Sequence, residues 1–467
     1  MAYPAARPER GGGLRGRLRS VPGLLKWRPR HPAQVFVLAF TFAVLVSTAL
    51  LMLPASTSSG DGAPLVTALF TATSAVCVTG LVVVDTGSYW SGFGQAVILG
   101  SFQIGGFGIM TLASLLGLVV SRRLGLRTRL LAQAETKALS LGDVRQVIRG
   151  VAVISFTIEA VIAAVLVLRL LLAYDMSPAA AAYEGVFHAV SAFNNAGFVL
   201  YADSLTRYVT DPWVSGSVAI GVALGSLGFP VLFELRRELR SPHLWSLHTK
   251  ITLTTTALLL VGGTAAITAF EWTNSATLGP LNVPGKLLAG WFQGTMPRSG
   301  GFNTVDYSQM NESTWLVTDV LMFIGGGSAS TAGGIKVTTF MVLFFAIIAE
   351  ARGDSTVDAF NRRLPTTILR QAVTVALLSV AAVVSATLLL LAISGLDLDR
   401  VLFEVMSAFG TVGLSTGITS QLPDSGQYLL TLLMFAGRIG PATLASALAV
   451  RQRRRLYRLP EERPIVG

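Results

Sequence analysis

The 467-residue sequence has few charged residues, few histidines and almost no cysteine. Charged side chains make up 13% of the chain, against roughly 25% in soluble domains. This scarcity, with a mean hydropathy of +0.62, argues against a disordered chain and against a multidomain water-soluble protein. The one cysteine, Cys77, excludes an internal disulfide framework and any zinc site built from several cysteines. Four scattered histidines leave little material for a metal centre.

Long hydrophobic runs fill most of the chain instead. A membrane-spanning helix needs about 20 mostly apolar residues, and eight stretches are candidates for such spans. These stretches are 33–53, 92–120, 148–173, 213–233, 251–271, 314–348, 368–393 and 426–450. We expect no cleavable signal peptide, because the residues before the first run are rich in Arg and Gly and that run is full length.

Basic residues gather on one side of the predicted spans. Residues 1–30 carry eight basic side chains and one acidic, residues 121–149 carry seven and two, and residues 451–467 carry six and two. Each basic loop follows an even-numbered span, and both termini are basic. The positive-inside rule therefore predicts cytoplasmic termini, so the net charge of +11 reflects a basic inner face.

Between the two spans of each pair lies a further apolar stretch that is too short to cross a membrane, and the four stretches align with one another. They read LFTATSAVCVTGL (69–81), VFHAVSAFNNAGF (186–198), LAGWFQGTMPRSGGF (288–302) and LFEVMSAFGTVGL (402–414). Their shared glycines are Gly80, Gly197, Gly301 and Gly413, separated by 117, 104 and 112 residues. This internal repeat predicts an all-α integral membrane protein with eight transmembrane helices, four pore helices and pseudo-fourfold symmetry.

The repeat also sets the predicted domain boundaries. A basic cytoplasmic arm (1–32) precedes the repeats, and a basic cytoplasmic tail (451–467) follows them. Each repeat consists of a span, a short helix, a glycine loop and a second span. The four repeats are 33–130, 145–240, 248–350 and 365–450.

The four glycine loops have the composition of a cation filter. Potassium channels replace the water around the ion with backbone carbonyls from four TVGYG loops, and Gly adopts the necessary backbone conformations without a Cβ clash. TVGL at 411–414 is close to that sequence, and VTGL at 78–81 is a weaker copy. One such glycine is more often a helix C-cap, but four in register between spans favour a filter. The predicted filter residues are Cys77, Val78, Thr79 and Gly80; Asn194, Asn195, Ala196 and Gly197; Ser299, Gly300 and Gly301; and Gly410, Thr411, Val412 and Gly413.

A second glycine-rich position recurs about 25 residues after each filter glycine. Gly and Pro weaken or kink helices, so breaks are predicted at 104–106, 225–230, 325–327 and 437–441. The third break is exaggerated and predicts a loop that obstructs the ion path, because irregular backbone at membrane depth is tolerated where it lines a cavity. The residues of this predicted gate loop are Gly325, Gly326, Gly327, Ser328, Ala329, Ser330, Thr331, Ala332, Gly333 and Gly334.

Two basic residues accompany the predicted gate loop. Arg438 lies in the fourth break, where a fixed cation would raise a barrier to other cations and donate hydrogen bonds to loop carbonyls. The alternative for Arg438 is a snorkelling or interface-pairing side chain. Lys336 follows the loop and is grouped with the gate, and snorkelling toward the cytoplasmic surface is at least as good an interpretation there.

The motifs FTATSAVCVTGL, SAFNNAGF, GGFNT, STAGGIKVTT, SAFGTVGLSTG and GRIGPATL together resemble the Trk/Ktr/HKT superfamily of potassium transporters. The closest likeness is the Ktr-type membrane subunit, and the resemblance covers about residues 33 to 450. It implies that the glycine loops coordinate K⁺, that a glycine in all four goes with potassium selectivity, and that Arg438 closes against the gate loop. Cys77, Gly300 and Ala329 depart from the family pattern, and Ala329 stands where another Gly is usual.

The resemblance also implies partners and location. Ktr-type subunits form homodimers, each subunit with its own pore, on a cytosolic ring that binds nucleotides. The basic loops and tail here would face that ring, which would hold the nucleotide in place of this chain. The implied setting is a bacterial plasma membrane, with K⁺ transported, Na⁺ as an activator and no covalent cofactor.

Three functions other than potassium uptake make different demands on the sequence. A transporter of the same fold that also passes sodium would differ in flux selectivity. An intramembrane enzyme would need paired acids, a metal set or a nucleophile with its base, and we expect none: Glu159 and Arg169 are isolated, His188 lies in a pore helix, and an HExxH motif is absent. For Glu159 an interhelical polar contact is favoured over ion binding. The basic arm fits the anionic inner leaflet better than nucleic acid.

Overall fold

The computed structural model describes residues 32–122 and 144–440. The predicted tail, almost all of the predicted N-terminal arm, the basic loop after the first repeat and the end of the last predicted span lie outside the described residues. The described residues are mostly helical. A departure from an all-α fold is a small antiparallel hairpin of two strands, β1 (Asp358–Ala359) and β2 (Arg362–Arg363).

The described α-helices fall into long elements and short ones. They are α1 Pro32–Leu51, α2 Leu65–Val76, α3 Thr86–Tyr89, α4 Gly92–Arg122, α5 Val144–Ala173, α6 Pro178–Phe193, α7 Pro212–Leu227, α8 Phe229–Glu238, α9 Leu247–Glu271, α10 Val283–Thr295, α11 Glu312–Phe323, α12 Val337–Arg352, α13 Thr366–Ser394, α14 Leu398–Gly410 and α15 Asp424–Ile439. Short 3₁₀ turns lie at Pro54–Ser56, Thr206–Tyr208, Pro242–Leu244, Tyr307–Gln309 and Thr419–Gln421.

Several helices have the length and composition of membrane spans. Val147–Ala173, Leu247–Glu271 and Thr366–Ser394 each meet both criteria, and α7 and α8, which meet at a 99° bend, would make a fourth span as a pair. The chain is a multi-pass membrane protein. The count of eight spans stays a prediction, since 314–348 is divided between α11 and α12 and 426–450 is described only to residue 440.

Each of the four short apolar stretches forms a short helix. These helices, α2, α6, α10 and α14, have 12 to 16 residues, which at about 1.5 Å per residue is less than the roughly 30 Å of a bilayer core. Side-chain oxygens of Ser177 and Asn282 cap the first turns of α6 and α10. Each short helix packs against the long helix that precedes it in the chain, so its C-terminal end is held in a fixed place.

Each short helix contributes side chains to the buried interior. Fully buried aromatic side chains, including Phe70 in α2, Phe187 in α6, Phe292 in α10 and Phe403 in α14, anchor them in the core. The long helices expose large apolar side chains instead, such as Leu172, which is 80% exposed. An apolar outer surface of this kind fits a lipid environment, whereas in water it would be a liability.

The predicted break in α4 is wrong. Helix α4 continues through Gly105 and Gly106, and these glycines serve close packing instead. A Cβ at Gly105 would collide with the Val76 carbonyl at the end of α2, and one at Gly106 with the Asn194 side chain. The predicted breaks in the second and third repeats are confirmed, at Gly228 and over the non-helical residues 324–336.

Asp211 fixes the start of α7 on the side of the membrane that is predicted to be external. Its carboxylate accepts hydrogen bonds from the backbone N–H of Trp213 (2.9 Å), from Arg169 (2.8 Å) and from the Tyr174 hydroxyl (2.9 Å). Burial acts to raise the pKa of Asp211, but the hydrogen bonds from Arg169, Tyr174 and the α7 backbone outweigh it and hold the pKa below its usual value. The carboxylate therefore joins α5, α7 and the loop between α5 and α6.

We predict that Asp211→Ala lowers the thermal stability of the purified protein at neutral pH. Loss of a helix cap costs about 0.5–2 kcal/mol, and Arg169 and Tyr174 lose their acceptor as well. Because the folded-state pKa is depressed, this contribution is lost as the pH falls through that pKa, so the difference from wild type should narrow in acid. Thermal unfolding in detergent at neutral and acidic pH measures both effects.

Asp203→Ala is the matched control for this prediction. Asp203 pairs with Arg207 at 3.0 Å, but both side chains are about half exposed, and such ion pairs contribute at most about 1 kcal/mol. An equal loss of stability in the two variants would contradict the role assigned to Asp211.

Candidate functional site

The four repeat glycines meet at one place in the structure. A Cβ on Gly80 would lie 2.9 Å from the Gly197 Cα, and one on Gly301 would lie 2.7 Å from the same atom. A Cβ on Gly413 would lie 3.1 Å from the Gly80 Cα and 3.2 Å from the Gly301 Cα. The four glycines therefore form a closed ring in which no position has space for a side chain.

One carbonyl oxygen from each loop lies at this ring. The oxygens belong to the residues that precede the glycines, which are Thr79, Ala196, Gly300 and Val412. Each of these oxygens lies beside the glycine of a neighbouring loop. A Cβ on Gly80 would be 2.5 Å from the Ala196 oxygen, and one on Gly301 would be 2.5 Å from the Val412 oxygen. A Cβ on Gly197 would be 3.3 Å from the Gly300 oxygen, and one on Gly413 would collide with the Thr79 oxygen. The structure thus brings the four predicted glycine loops together and gathers their backbone oxygens.

All four loops share a backbone conformation that L-residues seldom adopt. The glycines have φ between 69° and 95°, and the residue two positions earlier has φ between 47° and 70° in every loop. Those earlier residues are Val78, Asn195, Ser299 and Thr411. Positive φ is most unfavourable for β-branched residues such as Val78 and Thr411, so the surrounding structure must hold these turns in place.

The short helices hold the turns through their C-terminal ends. The N–H groups of Thr79, Ala196 and Val412 donate back to carbonyls five residues earlier, at 2.7, 2.8 and 2.8 Å. In the third loop Gly300 N donates to the Met296 carbonyl at 2.8 Å instead. The partial negative charge at the end of each helix therefore lies next to the ring, where it favours a cation.

A cavity of about 660 Å³ is lined by all four ring glycines and by residues that follow them in the chain. Asp85, Asp306 and Arg400 contribute its charged side chains. The opposite side of the ring, formed by residues that precede the glycines, contacts the 325–334 loop. The ring therefore lies between the cavity and that loop.

The 325–334 loop packs between the ring and the bend at Gly228, where α7 ends and α8 begins. Gly327 N donates to the Ser226 carbonyl at 2.7 Å, Thr331 N to the Gly225 carbonyl at 3.3 Å, and Phe229 N to the Ala329 carbonyl at 3.2 Å. Ala329, the residue that departs from the family pattern, has φ 58°, a conformation that Gly adopts at lower cost. The break at Gly228 thus accommodates the loop.

Arg438 and Lys336 both contact the 325–334 loop. The Arg438 guanidinium is buried, with 4% of the residue exposed; it donates to the Thr331 carbonyl and, at 3.5 Å, to the Gly105 carbonyl of α4. Lys336 Nζ donates to the Ala332 carbonyl at 2.5 Å. Both cations therefore bind loop carbonyls, the arrangement that sequence analysis expected of Arg438.

Glu159 makes the interhelical contact that the sequence favoured. Its buried carboxylate accepts hydrogen bonds from Gln103 Nε2 (3.2 Å) and Asn194 Nδ2 (3.1 Å), and Asn194 Nδ2 also donates to Gln103 Oε1 at 2.5 Å. Sequence analysis missed Gln103, which sits on α4 without a distinguishing motif. The three side chains tie α4 and α5 to the second glycine loop.

Residues 20–454 match the model of the family TrkH, described as a cation transport protein. The chain belongs to the TrkH family. The Ktr system potassium uptake protein B of Bacillus subtilis is 40% identical over 91% of this chain and 95% of its own length. The potassium/sodium uptake protein NtpJ of Enterococcus hirae is 33% identical over 93% of this chain and 97% of its own length.

A solved structure shares the fold of this TrkH-family chain. The crystal structure of the potassium transporter TrkH from Vibrio parahaemolyticus superposes with a TM-score of 0.72 and covers 91% of this chain and 86% of that one. Sequence identity between the two is 16%, so this likeness concerns the fold alone.

A hydroxyl residue that is absent from the predicted site lies six positions before each ring glycine of this TrkH-family chain. These residues are Ser74, Ser191, Thr295 and Ser407. Ser74 Oγ accepts from Gly80 N at 3.0 Å, and Ser407 Oγ accepts from Gly413 N at 3.1 Å. Ser191 Oγ donates to the Phe198 carbonyl at 2.8 Å. The constant offset in the four aligned stretches was the signal that would have identified them.

We predict that Ser407→Ala destabilises the fourth glycine loop. Gly413 N would lose the acceptor of its partly buried hydrogen bond, and the net contribution of such a bond is about 0.5–1.5 kcal/mol. Thermal unfolding should show the loss, and hydrogen–deuterium exchange should show faster exchange in peptides that contain Gly413.

Ser379→Ala is the matched control. Ser379 is equally buried, but its hydroxyl donates to the Val375 carbonyl within one helix, so its removal leaves no orphaned N–H. If the two variants lost the same stability and Gly413 exchange stayed unchanged, the positioning role of Ser407 would be wrong.

Proposed function

We propose that this chain is the membrane subunit of a Ktr/Trk-type system and carries K⁺ into the cell through the glycine ring. In this proposal the four loops form a selectivity filter with pseudo-fourfold symmetry, and the 325–334 loop is its gate. The observation that carries the proposal is the ring itself: four backbone oxygens, one from each loop, around glycines that leave no space for side chains. Uptake is passive transport, not an enzymatic reaction.

The chemistry of the ring favours a dehydrated monovalent cation. Carbonyl oxygens replace the water that an ion loses on entering a filter, and the negative ends of four helices add to the attraction. A membrane potential of 100 mV, negative inside, supplies about 2.3 kcal/mol per charge to draw the ion inward. The names of the relatives as potassium uptake proteins support K⁺ as that ion.

A less selective transporter that also carries Na⁺ is the second candidate. It is favoured by one relative, at 33% identity, whose name includes both potassium and sodium. The glycine at all four ring positions supports the potassium-selective alternative. We further propose that Na⁺ acts as an activator.

The gate proposal rests on Arg438. Its buried guanidinium binds the Thr331 carbonyl of the loop and the Gly105 carbonyl of α4, so it links the loop to a helix on the other side of the path. A positive charge there also repels cations. Movement of the loop away from the ring requires these bonds to break, which makes Arg438 a latch.

The proposed assembly follows the charge distribution. Basic segments at 1–30, 121–149 and 451–467 would face the cytoplasm of a bacterial cell, against the anionic inner leaflet. We propose that the subunit forms a homodimer in the plasma membrane and binds a cytosolic regulatory ring, which carries the nucleotide. No nucleic acid partner is proposed.

We predict that Gly413→Ser abolishes potassium selectivity. The new side chain would collide with the Thr79 carbonyl and crowd the Gly80 and Gly301 α-carbons, and φ 95° is strained for any residue with a Cβ. Growth of a potassium-uptake-deficient strain and K⁺ versus Na⁺ flux into proteoliposomes measure the effect.

Gly60→Ser controls for backbone strain alone. Gly60 has φ 80°, and a Cβ there would have nothing within 4 Å, so this variant should keep its ion preference. Unchanged selectivity in Gly413→Ser would contradict the filter assignment, and equal sodium flux in wild type would favour the second candidate.

We predict that Arg438→Ala raises basal flux and weakens regulation. Hydrogen bonds to a charged donor contribute about 1.5–3 kcal/mol, so their loss would shift the balance of open and closed states roughly 10- to 150-fold toward open. Flux into proteoliposomes that lack any regulatory partner is the measurement.

Arg207→Ala is the control for a lost positive charge, since Arg207 is about half exposed and pairs with Asp203. If the basal flux of Arg438→Ala were at or below the wild-type level, the proposal that Arg438 holds the 325–334 loop closed would be wrong.

A further inference from the structure

Ser299 joins three segments through one hydroxyl group. The side chain is fully buried in the third glycine loop. Its Oγ donates to the Thr411 carbonyl of the fourth loop at 2.6 Å and accepts from Gly333 N of the 325–334 loop at 3.2 Å. The hydroxyl group therefore uses its proton in one hydrogen bond and a lone pair in the other. The two hydrogen bonds together fix its orientation.

Asn195 makes the corresponding connection from the second loop. Its Oδ1 accepts from Thr331 Oγ1 of the 325–334 loop at 2.8 Å, and its Nδ2 donates to Ser226 Oγ at 2.8 Å. Asn195 and Ser299 occupy the same place in their loops, two residues before the ring glycine, with φ 59° and 70°. The 325–334 loop is thus hydrogen-bonded to the ring at two equivalent positions, both on the side of the ring that is opposite the cavity. We call this side the inner end of the filter.

The same position differs in the other two loops. Val78 has no polar side-chain atom to offer, and Thr411 Oγ1 is buried without a hydrogen-bond partner among the described residues. Gly333 packs directly against Thr411, since a Cβ on Gly333 would collide with the Thr411 side chain. While the 325–334 loop occupies this position, the Thr411 carbonyl accepts a hydrogen bond from Ser299, and Gly333 covers the Thr411 hydroxyl.

Departure of the loop would change the ion ligands on this side of the ring. Gly333 N would no longer bind Ser299 Oγ, and the hydroxyl would be free to rotate. In the proposed filter the Thr411 oxygen is an ion ligand at this end, and it would then no longer be bound to Ser299. Thr411 Oγ1 would be uncovered at the same time.

We propose that Ser299 and Asn195 are positioning residues that couple the position of the 325–334 loop to the cation affinity of the inner end of the filter. Ser299 withholds the Thr411 oxygen from the ion while the loop is seated, and releases it when the loop departs. This inference rests on the proposed function of the ring and the loop.

The test is a double-mutant cycle between Ser299→Ala and Arg438→Ala, read out as equilibrium ion affinity. Flux reports open molecules only, whereas K⁺, Rb⁺ and Na⁺ titrations of thermal stability report binding to either state. Ser299→Ala should tighten K⁺ binding about fivefold, the worth of one ordinary hydrogen bond. Arg438→Ala, which frees the loop without touching the ring, should tighten it similarly.

The decisive quantity is the double variant. Because each change releases the same carbonyl, the two together should tighten K⁺ binding no further than either alone. Ser379→Ala, which removes an equally buried hydroxyl outside the ring and the 325–334 loop, should match wild type. Additive effects in the cycle, or a K⁺ affinity unaffected by Arg438→Ala, would overturn the coupling.

Thr331→Val tests the coupling from the other side if Ser299→Ala does not fold. It keeps the shape of the side chain and removes the hydroxyl that binds Asn195, so it should also tighten K⁺ binding; an unchanged affinity would count against the proposal. Failure of the coupling is separable from failure of the proposed function. Loss of selectivity in Gly413→Ser with an additive cycle removes the coupling alone, whereas retained selectivity in Gly413→Ser removes the filter.

Discussion

The structure depends on the mutual contact of four glycine α-carbons. Since no side chain fits at any of these positions, only backbone atoms reach the centre of the ring. In the proposed filter the ion ligands there are therefore carbonyl oxygens, whatever the neighbouring residues are. This explains how four loops with different sequences, VTG, NAG, SGG and TVG, build one ring. The variable side chains point elsewhere and determine what each loop is attached to.

The ring carries an energetic cost that the rest of the fold must offset. Eight residues in the four loops have positive φ, and non-glycine residues in such conformations cost of order 1–3 kcal/mol each. The short helices offset part of this cost by fixing the start of each loop. The buried hydroxyl groups of Ser74 and Ser407 also accept hydrogen bonds from the N–H groups of Gly80 and Gly413. The Glu159, Gln103 and Asn194 cluster supports the second loop from the outside. Each repeat thus solves the same problem with different side chains.

Much of this could be predicted from the sequence because it is local. Each of the four aligned stretches contains the end of a short helix and the ring glycine that follows it, and the alignment alone identifies these glycines. Contacts between distant segments could not be predicted in the same way. Gly105 and Gly106 read as a helix break, but they permit close packing against Val76 and Asn194. The Ser299 to Thr411 bond joins residues 112 positions apart, and no local pattern specifies it.

The position of the 325–334 loop limits how the proposed pore can be regulated. The loop is held on several sides. It is hydrogen-bonded to Ser299 and Asn195 in the ring loops, to the backbone around the bend at Gly228, and to Arg438 of α15. Two of its contacts are with the loops whose carbonyls form the ring. A partner that moves this loop must therefore break bonds that also shape the ring. In the proposed function, opening the path and changing the ion site are then one event rather than two.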